Sequence, residues 1–350
     1  MARFNVIQFI REQWKTLPVC SGDVSSKAIM LTGTNVGVGL EAAVHFAGMK
    51  PQLLLATCRD EEKCKRTREV VLERTVLDNY PEDSTKVASW PLNLNTFDSV
   101  REFADRFAAE ALAGAQLNIL VANAGVYMQS YTKTRDGWEL MLQVNYLSTA
   151  LLSILMLPYL IKSSNVDSPS RLVVVSSLGH YFGSRKLTGT DKWTSILGTI
   201  NDENFCGSID RYVLSKLLDV MFIRELVARL PEPTPVVACT VNPGFCRSRL
   251  FRDTETKWYT RPFASFLNYS PLSRTSEEGS RTLLHAAIGG EDSAIHGRYL
   301  SGCEVLEESS YLFTPEGKAF SGRLWTETVD LLSKVDNRVP GIIKQNLRVD

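Results

Sequence analysis

The chain has 350 residues, enough to bury a full core either as two domains or as one α/β unit with additions. Lys+Arg and Asp+Glu each number 39, so the formal net charge is zero, and no long-range field gathers nucleic acid or anionic lipid. The expected partners are small molecules. Cys20, Cys58, Cys64, Cys206, Cys239, Cys246 and Cys303 are scattered without a C-x-x-C pair, and His45, His180, His285 and His296 are equally dispersed. No metal is expected, and the thiols read as unpaired side chains in a reducing, cytoplasmic compartment.

The first element is an amphipathic helix. Phe4, Ile7, Ile10, Trp14 and Leu17 recur at helical intervals up to Pro18, giving an extension over residues 1–26. The long apolar run and cleavage site of a secretory signal are missing. The stripe is expected to pack on the main domain. Peripheral membrane contact is the alternative, with Arg3, Arg11 and Lys15 as the only basic residues. No stretch approaches the ~20 apolar residues of a bilayer span.

From residue 27 onward, short apolar runs alternate with helical patterns. Strands are predicted at 28–32, 53–57, 87–92, 118–121, 172–176, 236–241 and 298–300. Helices are predicted at 41–48, 61–77, 97–113, 138–160, 212–230 and 276–287. The runs L-L-L-A-T and L-V-V-V-S-S are nearly continuous in apolar residues, as strands buried on both faces are. The rhythm therefore predicts an α/β fold with one doubly wound parallel sheet of seven strands. Such sheets bind ligands beyond the carboxyl ends of their strands, so the residues there matter most.

After the first strand comes T-G-T-N-V-G-V-G-L-E, in which Gly33, Gly37 and Gly39 close a turn into a helix. Glycines at that place let the backbone approach a pyrophosphate, and the helix N-terminus offers it free N–H groups. After the second strand, Arg59 is suited to clasp a 2′-phosphate, where a carboxylate would instead hold the ribose hydroxyls of NAD; NADP(H) is favoured. The plainer reading of Arg59 is a surface charge beside Asp60, Glu61 and Glu62. Asn123, Ala124 and Gly125 follow the fourth strand and are small enough to border a cofactor. Ser176 and Ser177 stand after the fifth. Pro243 and Gly244 fix a turn after the sixth, and Ser248 offers a hydroxyl to a phosphate or carboxamide. Tyr212 and Lys216, four apart in one helix, share a face.

In this order the motifs resemble the short-chain dehydrogenase/reductase family from about residue 27 to 335. The C-terminal G-R-Y-L-S-G-C-E-V and G-R-L-W-T-E-T-V-D-L-L look like the branch of retinol dehydrogenases and WW-domain oxidoreductases, and many fungal biosynthetic reductases are similar. The resemblance implies a single Rossmann-type domain over 27–350. It assigns Gly33, Asn35, Gly37, Val38, Gly39, Arg59, Asn93, Leu94, Asn123, Ala124, Gly125, Pro243, Gly244 and Ser248 to NADP(H), together with Tyr212 and Lys216. It makes Ser177, Tyr212 and Lys216 catalytic and Asn145 the structural and catalytic asparagine. Asn93 stands where relatives often carry an aspartate facing adenine, and Val36 replaces a frequent hydroxyl residue, leaving backbone N–H groups to hold the phosphates. The long interval from Ser177 to Tyr212 implies a substrate-side insert at 180–208, and the aromatic segment 245–275 reads either as a lid or as packing against the core.

The implied chemistry explains the Tyr212–Lys216 spacing. A free phenol keeps its proton to about pH 10, and releasing it at neutral pH requires roughly 4 kcal/mol. One ammonium ~4 Å away at an effective dielectric of ~20 supplies about that much. Tyr212 then gives its proton to a carbonyl oxygen as hydride arrives, Ser177 hydrogen-bonds that oxygen, Lys216 holds the nicotinamide ribose, and Asn145 positions a water or Lys216. The expected function is NADP(H)-dependent interconversion of a carbonyl and an alcohol on an apolar small molecule, in secondary-metabolite (polyketide-type) biosynthesis. The alternatives are a non-redox isomerase or dehydratase on the same fold, or a cofactor-binding scaffold without turnover.

Overall fold

The computed structural model describes residues 6–76, 86–165, 168–247 and 272–348. Its centre is β1 (Ala28–Thr32), buried at every position. Ile29 and Leu31 enter one apolar cluster and Met30 the opposite one, and this burial on both faces is why the strand carries no polar alternation. Ile29 lies opposite Leu54 of β2 (Leu53–Cys58) on one side and Ile119 of β4 (Ile119–Ala122) on the other. With β3 (Lys86–Pro91), β5 (Ser170–Val175), β6 (Val236–Asn242) and β7 (Tyr299–Ser301), the order is β3-β2-β1-β4-β5-β6-β7, all parallel. Strand order reverses between β1 and β4, which opens a crevice at their carboxyl ends.

All seven expected strands are present, and an eighth extends the edge. β8 (Glu304–Leu306) runs antiparallel to β7 across a two-residue turn at Gly302 and Cys303, with φ of 58° and 61°. Positive φ at both positions is the hairpin geometry that matches strand twist. Three residues are too few to show a strand period in sequence.

Helices cover both faces. α2 (Gly37–Gly48), α3 (Glu61–Val76) and α8 (Ser276–Leu284) supply one layer, with Phe46, Ala42, Val71 and Leu283 buried. The other layer holds α4 (Phe97–Leu112), α5 (Ser148–Ser163), the short α6 (Ile196–Asn201) and α7 (Ser208–Arg229). Over it lie α9 (Pro315–Val335) and α10 (Arg338–Asn346), which lay outside the expected helices. Phe320, Leu324, Trp325, Thr328 and Leu332 bury one stripe of α9, and Trp325 stacks on Phe222 of α7 at 5.7 Å. These two helices explain the apolar segment Leu142–Ser163, which is long and apolar enough to cross a bilayer by length and composition, contrary to the sequence expectation. It is 83% buried, because it is packed between the sheet and the C-terminal helices and needs no polar face.

The N-terminal helix α1 (Val6–Trp14) docks on the domain, but through polar contacts. Gln13 is buried while Ile7 and Trp14 of the expected inward stripe are 64% and 66% exposed. Gln13 Nε2 donates to the carbonyls of Phe245 (3.1 Å) and Leu272 (2.8 Å), and its Oε1 accepts from Phe245 N (3.2 Å). Three hydrogen bonds from one amide fix which side of a short helix faces inward, and the apolar stripe does not compete with them. Leu17 and Val24, beyond the helix, are buried.

Candidate active site

A cavity of about 730 Å³ opens over the carboxyl ends of the central strands, inside the range of small-molecule sites. Its floor is the turn from β1 to α2. Gly33 and Gly37 adopt φ of 71° and 66°, and a Cβ on Gly39 would stand 2.3 Å from Gly33 O. A Cβ on Gly33 would stand 2.9 Å from Ala124 Cα, so the glycine turn and the N-A-G segment are in backbone contact. Asn123 ties them together: its Nδ2 donates to Thr32 O (2.9 Å) and Gly33 O (3.2 Å), and its backbone N donates to Thr32 Oγ1 (2.9 Å). Val36 is the extended N-cap of α2 and provides no side-chain cap. The first N–H groups of that helix are therefore available to an anion in the cavity, which Asn35, Val38 and Gly39 also line. These features fit a dinucleotide pyrophosphate.

Beyond the carboxyl ends of β2 and β3 the wall includes Arg59, Asn93 and Leu94. Arg59 is exposed, and among the described residues it has no carboxylate at ion-pair distance; Asp60 pairs with Lys63 instead. Lys63, which the sequence reading passed over, lines the same wall one helical turn on from Arg59. Asn93 Oδ1 accepts from Asn95 N at 3.1 Å, so one of its lone pairs is engaged in a local turn and one remains.

At the other end, β5 delivers two serines with different roles. Ser176 is buried and its hydroxyl donates to Lys216 O at 2.8 Å, whereas Ser177 is partly exposed, accepts from Gly179 N at 3.1 Å and faces the cavity. Tyr212 and Lys216, one turn apart on α7, both line the cavity, and the Tyr127 ring meets the Tyr212 ring edge-on at 5.8 Å. Lys216 Nζ donates to Val175 O (2.8 Å) and to Asp219 Oδ2 (3.0 Å). Burial raises the Asp219 carboxyl to about 7, against the pull of the Lys216 ammonium.

Asn145 sits behind the wall rather than in it. It lies in a π-helical segment, Leu142–Leu147, where the widened turn brings its amide under the 123–126 loop. Oδ1 accepts from Val126 N (2.8 Å), and Nδ2 donates to Val126 O (3.0 Å) and Ser215 Oγ (3.0 Å). A Cβ on Gly125 would lie 3.4 Å from Asn145 Oδ1 and 3.7 Å from Lys216 Nζ, ordinary contact distances that place this residue against both groups.

Pro243, Gly244, Phe245 and Cys246, just beyond β6, also line the cavity. Gly244 has φ of 87°, and a Cβ there would stand 2.8 Å from Gln13 Oε1 and 2.7 Å from Arg274 Nη1. Ser248 and most of the expected lid, 248–271, lie outside the described residues. Of the expected insert 180–208, Phe182 reaches the cavity. Part of the remainder packs onto α9: Trp193 meets Phe205 and Phe320, and Glu327 of α9 accepts from Ser195 Oγ and from the backbone N of Ile196 and Leu197. Phe9 of α1 and Ile209 also face the cavity, and no sequence motif marks either.

The fold and its crevice define a doubly wound α/β protein with a small-molecule site at the switch point of its sheet. A family model described as short chain dehydrogenase matches residues 27–186. The chain is 34% identical over 343 residues to the short chain dehydrogenase/reductase dmxR8 of Cryptosporiopsis sp. (strain 8999), covering 94% of this chain and 96% of that protein. It is 33% identical over 316 residues to human retinol dehydrogenase 12, covering 90% and 89%. A solved structure from Mycobacterium paratuberculosis shares the fold at a TM-score of 0.58 and 21% identity, covering 91% of this chain and 96% of that one. The Pseudomonas aeruginosa RhlG/NADP active-site complex does so at 0.53 and 19%, covering 79% and 96%. The chain belongs to the short-chain dehydrogenase/reductase family.

Proposed function

We propose that the protein is an NADP(H)-dependent reductase or dehydrogenase that interconverts a carbonyl and an alcohol on an apolar small molecule, and that it serves secondary-metabolite biosynthesis. The observation that carries this reading is the meeting of Ser177, Tyr212 and Lys216 on one end of a cavity whose other end is the glycine turn and Arg59. The cofactor, when bound, supplies or accepts the hydride. Tyr212 gives the proton to the substrate oxygen, and Ser177 donates a hydrogen bond to it as charge develops. Lys216 holds a positive charge one turn from the phenol. Asn145 acts through the backbone of Val126 and the hydroxyl of Ser215 beside Lys216, so it holds the frame around the lysine. Leu178, Phe182, Val213 and Phe245 give the substrate end an apolar wall, which supports an apolar substrate. Arg59, with no carboxylate at ion-pair distance among the described residues, supports NADP(H), and the similarity to dmxR8 supports a biosynthetic setting. All seven cysteines are free, in keeping with a reducing, cytoplasmic location.

The test is anaerobic incubation with NADPH and a panel of apolar ketones and aldehydes. Cofactor oxidation equal to alcohol formed is expected, and Tyr212→Phe should abolish it while still binding NADPH. Full turnover by Tyr212→Phe removes the proposed proton donor; converted substrate with unchanged cofactor replaces the redox reading by an isomerase or dehydratase. Arg59→Asp should shift preference from NADPH toward NADH by roughly 10- to 100-fold, the worth of one charge-assisted hydrogen bond.

A further inference from the structure

We infer that Asp219 is a positioning residue that sets the direction of Lys216 and the net charge that the pair presents to Tyr212. The inference rests on Tyr212 and Lys216 being the catalytic pair. Asp219 follows Lys216 by three residues on α7; the two side chains are 2% and 5% exposed, and Oδ2 accepts from Nζ at 3.0 Å. An ammonium has three N–H donors. Val175 O and Asp219 take two of them, which leaves one and fixes where it points, in a lysine that lines the cavity beside Tyr212.

A buried ion pair gives little net stability compared with apolar residues of the same volume. Its presence on the lysine at the reaction end is therefore better explained by what it does to that lysine. With Asp219 ionised, the pair is neutral and the phenol senses a reduced field; with Asp219 protonated, the full positive charge is felt. Burial puts this exchange near neutral pH. The charged group acting on the carboxyl is Lys216 on the same helix. From the neighbouring π-helical segment it is faced by the Tyr146 hydroxyl, which burial keeps protonated and which pairs with Thr328 Oγ1 of α9 at 2.7 Å. β5 contributes Lys216's other acceptor, the uncharged carbonyl of Val175. Glu225 and Glu327 act on Tyr146 and not on Asp219 itself.

Asp219→Asn keeps an oxygen for Nζ and removes the negative charge, and Asp219→Ser does so with a smaller side chain. The readout is the pH titration of phenolate absorbance in the protein saturated with NADP+. The same titration of the matching Tyr212→Phe protein is subtracted, so that Tyr212 alone remains. Both variants should move that midpoint to lower pH by about one unit, the effect of a unit charge about two helical turns away at an effective dielectric of ~20. Affinity for NADP+ should stay within about threefold. An unmoved midpoint overturns the inference, and so does failure of both variants to fold, which would assign Asp219 to the frame alone. The catalytic reading fails separately, by turnover of Tyr212→Phe with native Asp219.

Discussion

Acid should destabilise this protein through His180 more than through its other histidines. The ring is fully buried between Tyr181 and Tyr299, with centroids 4.1 and 4.3 Å away. Nδ1 lies 2.8 Å from Ser177 O and must donate to it, so Nε2 is the acceptor for the Ser309 N–H at 3.3 Å. A second proton would sit on Nε2 against that donor. Burial, opposed by the bond to Ser177, depresses the group from the ordinary 6.5 to about 4. The unfolded chain thus takes up a proton that the folded chain refuses between those values. The associated stability is complete above pH 6.5 and is lost as pH falls through 4, by about 3 kcal/mol at 1.36 kcal/mol per unit. Urea unfolding from about pH 7.5 to 4.5 measures it against His180→Gln, which does not titrate. His285 and His296, also lowered by burial, are common to both proteins and cancel. The native protein should lose about 2.5 kcal/mol more than the variant over that range. Equal slopes would refute the tautomer and the buried neutral ring together.

Gly39→Ala drives a methyl into Gly33 O and the Asn123 amide, and should cost about 1–3 kcal/mol in stability and most of the NADPH affinity, read by denaturant unfolding and fluorescence titration. Gln13→Ala removes three hydrogen bonds that tie α1 to Phe245 and Leu272. It should cost about 1–3 kcal/mol and raise KM for the cofactor more than it lowers kcat, because Phe245 lines the cavity; steady-state kinetics read the split. Phe46→Ala, at a fully buried position under the sheet, should cost about 3–5 kcal/mol in urea unfolding without altering cofactor preference.

Much of this molecule was legible in the chain because its information is local. Apolar runs such as Ala28–Thr32 mark strands buried on both faces, glycines at 33, 37 and 39 mark a turn that side chains would block, and Tyr212 and Lys216 share a face through helical spacing alone. The period of α9 was present too, with buried positions at 317, 320, 321, 324, 325, 328 and 332, though no strand followed it to complete the alternating rhythm. Tertiary structure decided what depends on which distant groups meet. Gln13 turned α1 polar side inward by bonding residues 232 and 259 positions away. Glu327 tied residues 195–197 to α9, and of the 180–208 segment Phe182 lines the cavity. Asn145 went behind Gly125 because a π-helical turn re-aimed it. Periodicity states which faces are apolar, but the partner of a polar side chain is chosen only when folding brings donor and acceptor within about 3 Å in a place without water.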